Sequence, residues 1–147
     1  MGAYPYWYLI PYEENLNDAL DKLRMREFKA GRYNPVIPFP TYPITDDSES
    51  PGPQHSDINQ PLNESDNDGT RSILDLTSVS DRDDHCVARI PTKEELIRFF
   101  GTDKPDIETI QNNSDFFDSI ERGKGLCIVV YENDQPNDLF FVGYSFD

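Results

Sequence analysis

The chain is poor in most of what catalysis, metal binding and membrane insertion require. Its 147 residues include two cysteines, two histidines and one tryptophan. Two thiols, Cys86 and Cys127, cannot build a disulfide framework, and both lie in apolar strand-like runs, so they read as reduced core thiols of a cytoplasmic protein. With His55 and His85 they match no metal-ligand spacing, so neither a metal nor a cofactor is expected. No apolar run approaches the ~18 residues of a membrane span. Met1–Pro11 lacks the charged start and long aliphatic core of a secretory leader. There is no nucleophile elbow, phosphate-binding glycine loop, dinucleotide fingerprint or His-Glu-x-x-His pair. Basic residues are also scarce: 13 Lys and Arg face 28 Asp and Glu, for a net charge of −15. Such a surface repels phosphate backbones and anionic lipid, which argues against direct nucleic-acid or membrane binding and for a basic partner.

The acidity is uneven. Residues 1–42 carry five acids and five bases, residues 43–84 eleven and two, and residues 85–147 twelve and six. The middle third is also where core-forming side chains thin out, over 43–70. The length suits one domain with a core of its own. A mobile acidic insertion rich in Pro, Ser and Asp is expected at about 44–56.

The pattern predicts an α+β fold: a mostly antiparallel sheet, three to four helices, and the C-terminal hairpin at its centre. In Leu126–Tyr131 both alternating sets, Leu126/Ile128/Val130 and Cys127/Val129/Tyr131, are apolar, which demands cover on both sheet faces. Asn, Asp, Gln and Pro separate this run from Leu139–Phe146. Tyr4–Tyr12 reads as an edge strand, or as one with only short central pairing, because Pro5 and Pro11 cannot donate to a ladder; Trp7 and Leu9 face one way, Tyr6, Tyr8 and Ile10 the other. Glu13–Ala30 reads as a helix with an apolar stripe at Leu16, Ala19, Leu20, Leu23 and Phe28, capped by Gly31. A short strand is expected at Val36–Phe39, a short helix at Asp57–Ser65 behind a Ser56 cap, and a turn at Asn67-Asp68-Gly69. Ser72–Val79 and His85–Ile90, joined by the charged turn Ser80–Asp84, read as a second hairpin. Thr92 and Glu95 spell a capping box for a helix Lys93–Phe100 that stops at Gly101. Another helix starts near Asp103-Lys104-Pro105 and is kinked or split at Asn112-Asn113.

The strongest candidate site lies at the end of the first helix, where Arg24, Arg26 and Lys29, then Arg32 and Tyr33, form a basic and aromatic spot on an acidic chain. Guanidinium groups fork onto carboxylate or phosphate and stack on rings. Asp75, expected mid-strand between Leu74 and Leu76, or Glu27 would be the acid–base residue if these side chains converged.

Several fragments together, WYLIPY, LRMREFKAGRYNPV, GTRSILDL, FFGTDKP and IERGKGLCIVVY…LFFVGYSFD, resemble a family of small acidic bacterial proteins of cyanobacterial and actinobacterial type. The resemblance spans most of the chain except about 44–56. It implies a complete bacterial cytosolic protein and carries no activity and no catalytic residues with it. The segment after His55 is more helical in that family than Pro61 permits here. The expected function is therefore that of a non-enzymatic interaction protein, a small acidic binder of the immunity or inhibitor kind. The alternatives are an enzyme or anionic-ligand binder using Arg24, Arg26, Arg32, Tyr33 and Asp75, and a nucleic-acid mimic built from the acidic middle.

Overall fold

The C-terminal hairpin is the centre of a five-stranded mixed sheet. The computed structural model describes residues 4–65 and 68–146. In chain order the elements are β1 (Pro5–Pro11), α1 (Leu16–Ala30), α2 (Asn59–Ser65), a 3-10 turn (Ile73–Asp75), β2 (Ser78–Ser80) and β3 (Val87–Arg89). Then come α3 (Lys93–Phe100), α4 (Ile107–Gln111), α5 (Ser114–Asp118), β4 (Gly125–Glu132) and β5 (Gln135–Tyr144). The strand order is β1-β5-β4-β3-β2. β1 and β4 flank β5 antiparallel over long registers, whereas β2/β3 and β3/β4 are parallel over three and two residue pairs. The sheet is thus α+β and mostly, but not wholly, antiparallel. Among the described residues the fold carries five α-helices, against the three to four expected. No helix among them is long and apolar enough to cross a membrane.

Both faces of the hairpin are covered, as the doubly apolar β4 requires. On one face Cys127, Leu139 and Phe141 join Tyr6, Tyr8 and Ile10 under α1 and the 3-10 turn. On the other, Ile128, Val130, Phe140 and Val142 pack against Ile110 and Phe116, beneath α3, α4 and α5. The hairpin closes through Asn133 and Asp134, both at positive φ, a conformation these two residue types tolerate. Pro136 therefore lies inside β5 rather than in the turn, at a register shift opposite Tyr131 where a ladder donor is dispensable. Opposite each other in the ladder, Gly125 and Gly143 leave the room that Leu76 and the Tyr6 ring fill; a Cβ on Gly143 would come within 2.5 Å of the Tyr6 hydroxyl.

β1 is the edge strand that its prolines announced. Tyr12 N donates to Asn137 O at 3.2 Å and Ser145 N to Tyr4 O at 2.9 Å, so the even-numbered residues of β1 bond to β5. Pro5 and Pro11 occupy outward-facing positions, where no ladder donor is lost. Tyr6, Tyr8 and Ile10 are buried, while Leu9 is exposed.

Five expectations fail for local reasons. The second hairpin is absent: β2 and β3 run parallel, joined by the link 81–86, which suffices because each strand is only three residues long. Most of Ser72–Val79 is not strand. Ser72 Oγ caps Leu74 N, and the Asp75 carboxylate accepts from Thr70 N at 2.7 Å, so side chains supply the partners a ladder would have supplied. Val36–Phe39 is a chain of turns and bends, with Ile37 N bonded to Tyr33 O at 2.8 Å. α2 has no Ser56 cap: the Gln60 side chain accepts from Ser56 N, Asp57 accepts from Asn59 N, and Pro61 sits in the first turn where its missing donor costs nothing. Asn67 of the expected turn lies outside the described residues; Gly69 beside it has φ 69°. His85 and Cys86 belong to a turn, Cys86 at φ 63°, and not to a strand. The Thr92–Glu95 capping box, the Gly31 and Gly101 caps and the split at Asn112-Asn113 all form.

Two measurements test this frame. Ile128→Ala should lower the unfolding free energy by about 2–5 kcal/mol, because the buried side chain leaves a cavity between hairpin and helices. Ile97→Ala, on the outside of α3, should change it by less than about 0.5 kcal/mol. Equal urea midpoints for the two would contradict the buried hairpin. Arg89 forks onto Glu95 at 2.6 and 2.9 Å and, with the Thr92 bonds, holds its pKa at about 2, below the free value of 4.5. That contribution is present above pH 4.5 and is lost as pH falls toward about 2. Glu95→Gln should flatten the acid-unfolding curve in this window; an unchanged acid slope would mean the pair carries no linkage.

Candidate functional site

The apolar spacing of α1 places one charged residue on its buried face. Leu16, Leu20 and Leu23 are followed four positions on by Glu27, which has no solvent exposure at all. A carboxylate removed from water needs cations and donors. Gly31, at φ 75°, reverses the chain so that Arg32 returns over the last turn of α1. Arg32 then forks onto Glu27, Nε to Oε1 at 2.8 Å and a terminal nitrogen to Oε2 at 2.6 Å, while Arg26 donates its Nε to Oε2 at 2.8 Å. The bond to Glu27 raises the Arg32 pKa further above its usual value. The second terminal nitrogen of Arg32 reaches Ser50 Oγ at 2.8 Å, tying the acidic loop to the same knot.

A chain of phenols lies beside it. Ile73 N donates to the Tyr8 hydroxyl, the Tyr8 and Tyr42 hydroxyls are 2.7 Å apart, and Tyr42 donates to Arg71 O at 3.0 Å. Burial pushes both phenols well up, so they stay neutral. Trp7, Tyr8 and Leu9 of β1, with Arg26 and Arg32 opposite and 43–46 along one wall, bound a cleft of about 570 Å³. Its volume falls in the range of small-molecule and peptide sites.

The other expected residues lie elsewhere. Arg24 turns inward and donates to Leu74 O at 2.9 Å; its Nε is buried without a partner and burial lowers its pKa. Asp75, in the 3-10 turn and buried, accepts from Thr70 N and Oγ1 through Oδ1, while Oδ2 has no hydrogen-bond partner among the described residues. Burial raises its pKa, opposed by the Thr70 and Arg71 hydrogen bonds and the Arg24 charge. Tyr33 stacks on Phe28 with centroids 5.9 Å apart and meets His55 Nδ1 at 2.9 Å, and His55 Nε2 in turn contacts Glu64. Lys29 is exposed. The fold thus brings Arg26 and Arg32 together on Glu27, whereas Arg24, Asp75 and Tyr33 are bonded to other partners, Arg24 and Asp75 near enough to influence each other's charge. Sequence reasoning missed the Tyr33–His55–Glu64 chain, which has no sequence signal, and the anchoring role of Glu27, which had one: an acid at stripe spacing.

Burial pushes the Cys127 thiol up to about 12 and raises Cys86 as well, which disfavours the thiolate form of both. Among the described residues no group of His, Cys, Asp and Glu could hold a metal ion. No family model, no curated protein and no solved structure matches the chain.

Glu27→Gln should destabilise the protein by about 2–3 kcal/mol. That is below the 3–5 of a fully buried pair because both arginines reach solvent. Adding Arg32→Gln should recover part of the loss. A chemical denaturation series in which Glu27→Gln is neutral would remove the knot from the list of anchors.

Proposed function

We propose that the protein is a non-enzymatic interaction module that captures a basic partner through its negative field. The observation that carries this reading is how the cations are used. Lys22 pairs with Glu13 at 2.7 Å, Arg26 and Arg32 with Glu27, Arg89 with Glu95, and Lys124 with Asp83 and Glu121 at 3.1 Å. Asp46, Asp47, Glu49, Asp81, Glu132 and Asp134 are exposed with no cation partner among the described residues. Most of the chain's bases thus sit on its own acids, with Arg98 and Lys104 over the rings of Phe99 and Tyr131, and the surplus carboxylates are left to solvent. A surface of that kind accelerates encounter with positive proteins and rejects negative ones.

The catalytic alternative has less support. Acid–base work needs a donor, an acceptor and a substrate site within hydrogen-bond reach, and Asp75, Tyr33 and the arginine pair sit in separate places. A small anionic ligand in the cleft would compete with Glu27, which already takes the Arg32 fork and the Arg26 Nε. Mimicry of a phosphate backbone needs a regular array of carboxylates. The acids of 46–49 stand on turns and bends with no helix or strand to space them.

Affinity capture from the source cell at about 50 mM and about 500 mM salt tests the proposal. Retained partners should carry net positive charge, and their association rate should fall by about tenfold or more across this range. Partners of net negative charge, or binding indifferent to salt, would refute it.

A further inference from the structure

We infer that the outer edge of β1 is a strand-addition site, which takes an extended segment of another protein with alternating apolar and basic residues. Because the even-numbered residues of β1 bond to β5, the N–H and C=O groups of Trp7 and Leu9 point away from the sheet. Neither residue makes a backbone hydrogen bond beyond the strand ladder among the described residues. An open edge of this kind is a template for another strand. Pro5 and Pro11 bracket it and limit the added ladder to the rungs at Trp7 and Leu9.

Space exists for the added strand. The cleft of about 570 Å³ beside Trp7, Tyr8 and Leu9 continues into a second of about 440 Å³ lined by Pro5, Phe117 and Tyr144, and the two share Trp7, Pro43 and Gln111. Together they form one groove along the length of β1. Alternate side chains of an added strand would enter the aromatic part, since successive residues point to opposite faces. Leu9, 44% exposed, is the apolar surface such a strand would cover.

Charge selects the occupant. A second copy would bring another −15 against the first, which disfavours edge-to-edge pairing of identical chains. The groove's two arginines are offset by Glu27 and by Asp46 in the cleft wall, so the chain's overall charge of −15 sets the sign of the field there. What remains attractive is a cationic strand. This choice of sign rests on the function proposed above; the open edge does not.

The test uses the full chain, isotope-labelled, and synthetic peptides of about nine residues alternating Val or Phe with Lys. The peptide should slow amide exchange at Trp7 and Leu9, whose donors are free, more than at Tyr6 and Tyr8, which are already bonded. Leu9→Pro removes one outward donor and no internal bond, and should weaken the peptide by about tenfold. If Leu9→Pro disturbs the circular dichroism, Leu9→Lys, which places a like charge on the edge, should weaken it comparably with the fold intact. No binding up to about 1 mM, a weak-end affinity, or unchanged Trp7 and Leu9 amides with peptide bound, overturns the site. Equal binding of a peptide with Glu in place of Lys overturns the basic-partner reading and leaves the site standing. Sedimentation showing self-association abolished by Leu9→Pro overturns the assigned occupant.

Discussion

The structure depends on a hairpin that cannot tolerate water on either side. β4 and β5 contribute Cys127, Leu139 and Phe141 to one apolar layer and Ile128, Val130, Phe140 and Val142 to the other. At about 25 cal/mol per Å² of apolar surface buried, neither layer can be left open without forfeiting several kcal/mol. The rest of the chain is arranged to close them: α1 and the 3-10 turn over one face, α3 to α5 over the other. The route from β3 to β4 passes through those last three helices, and this is why β3 and β4 are parallel. A crossover long enough to hold helices delivers the next strand in the same direction.

The second constraint is a single buried carboxylate. Glu27 lies on the face of α1 that should be apolar, and Arg26 and Arg32 gather around it. The same turn of chain brings the acidic loop into place: Gly52 N donates to Ala30 O at 3.0 Å, Ser50 meets Arg32, and His55 meets Tyr33. A Cβ on Gly31 would come within 2.6 Å of Gly52 O, so the close approach of these two glycines is itself required. Through Arg32, the charge buried in α1 is thus tied to the acidic loop at Ser50.

These two constraints also separate scaffold from surface. The groups that could have formed a reactive centre are used in holding the fold: Arg24 on a carbonyl, Asp75 on Thr70, the phenols on one another. What the fold leaves unused is an excess of exposed carboxylate and one sheet edge with free donors and acceptors. In the proposed reading, a long-range field would set encounter and a short backbone ladder would set register.

Much of this was legible from residue order alone, for physical reasons. Runs of β-branched and aromatic residues made β4 and β5 visible, prolines at 5 and 11 marked an edge, and the Thr-x-x-Glu and terminal Gly signals set helix ends, because each acts within four residues of itself; the Asn15 cap that starts α1 at Leu16 rather than Glu13 was not read. The charge surplus is likewise a property of composition. Strand direction at β2 and β3 was not legible, because two short apolar runs with a polar link look alike whether the second turns back or runs alongside. The turn at Ser72–Asp75 was hidden too, since its side-chain bonds to Thr70 N and Leu74 N outbid a ladder only once Asp75 is buried. Whether Arg24, Arg26, Arg32, Tyr33 and Asp75 share a site was decided by tertiary structure, because neighbours on a helix leave it in different directions. Sequence determines which groups are present and how each repeats; only packing determines which of them face one another and which are left facing solvent.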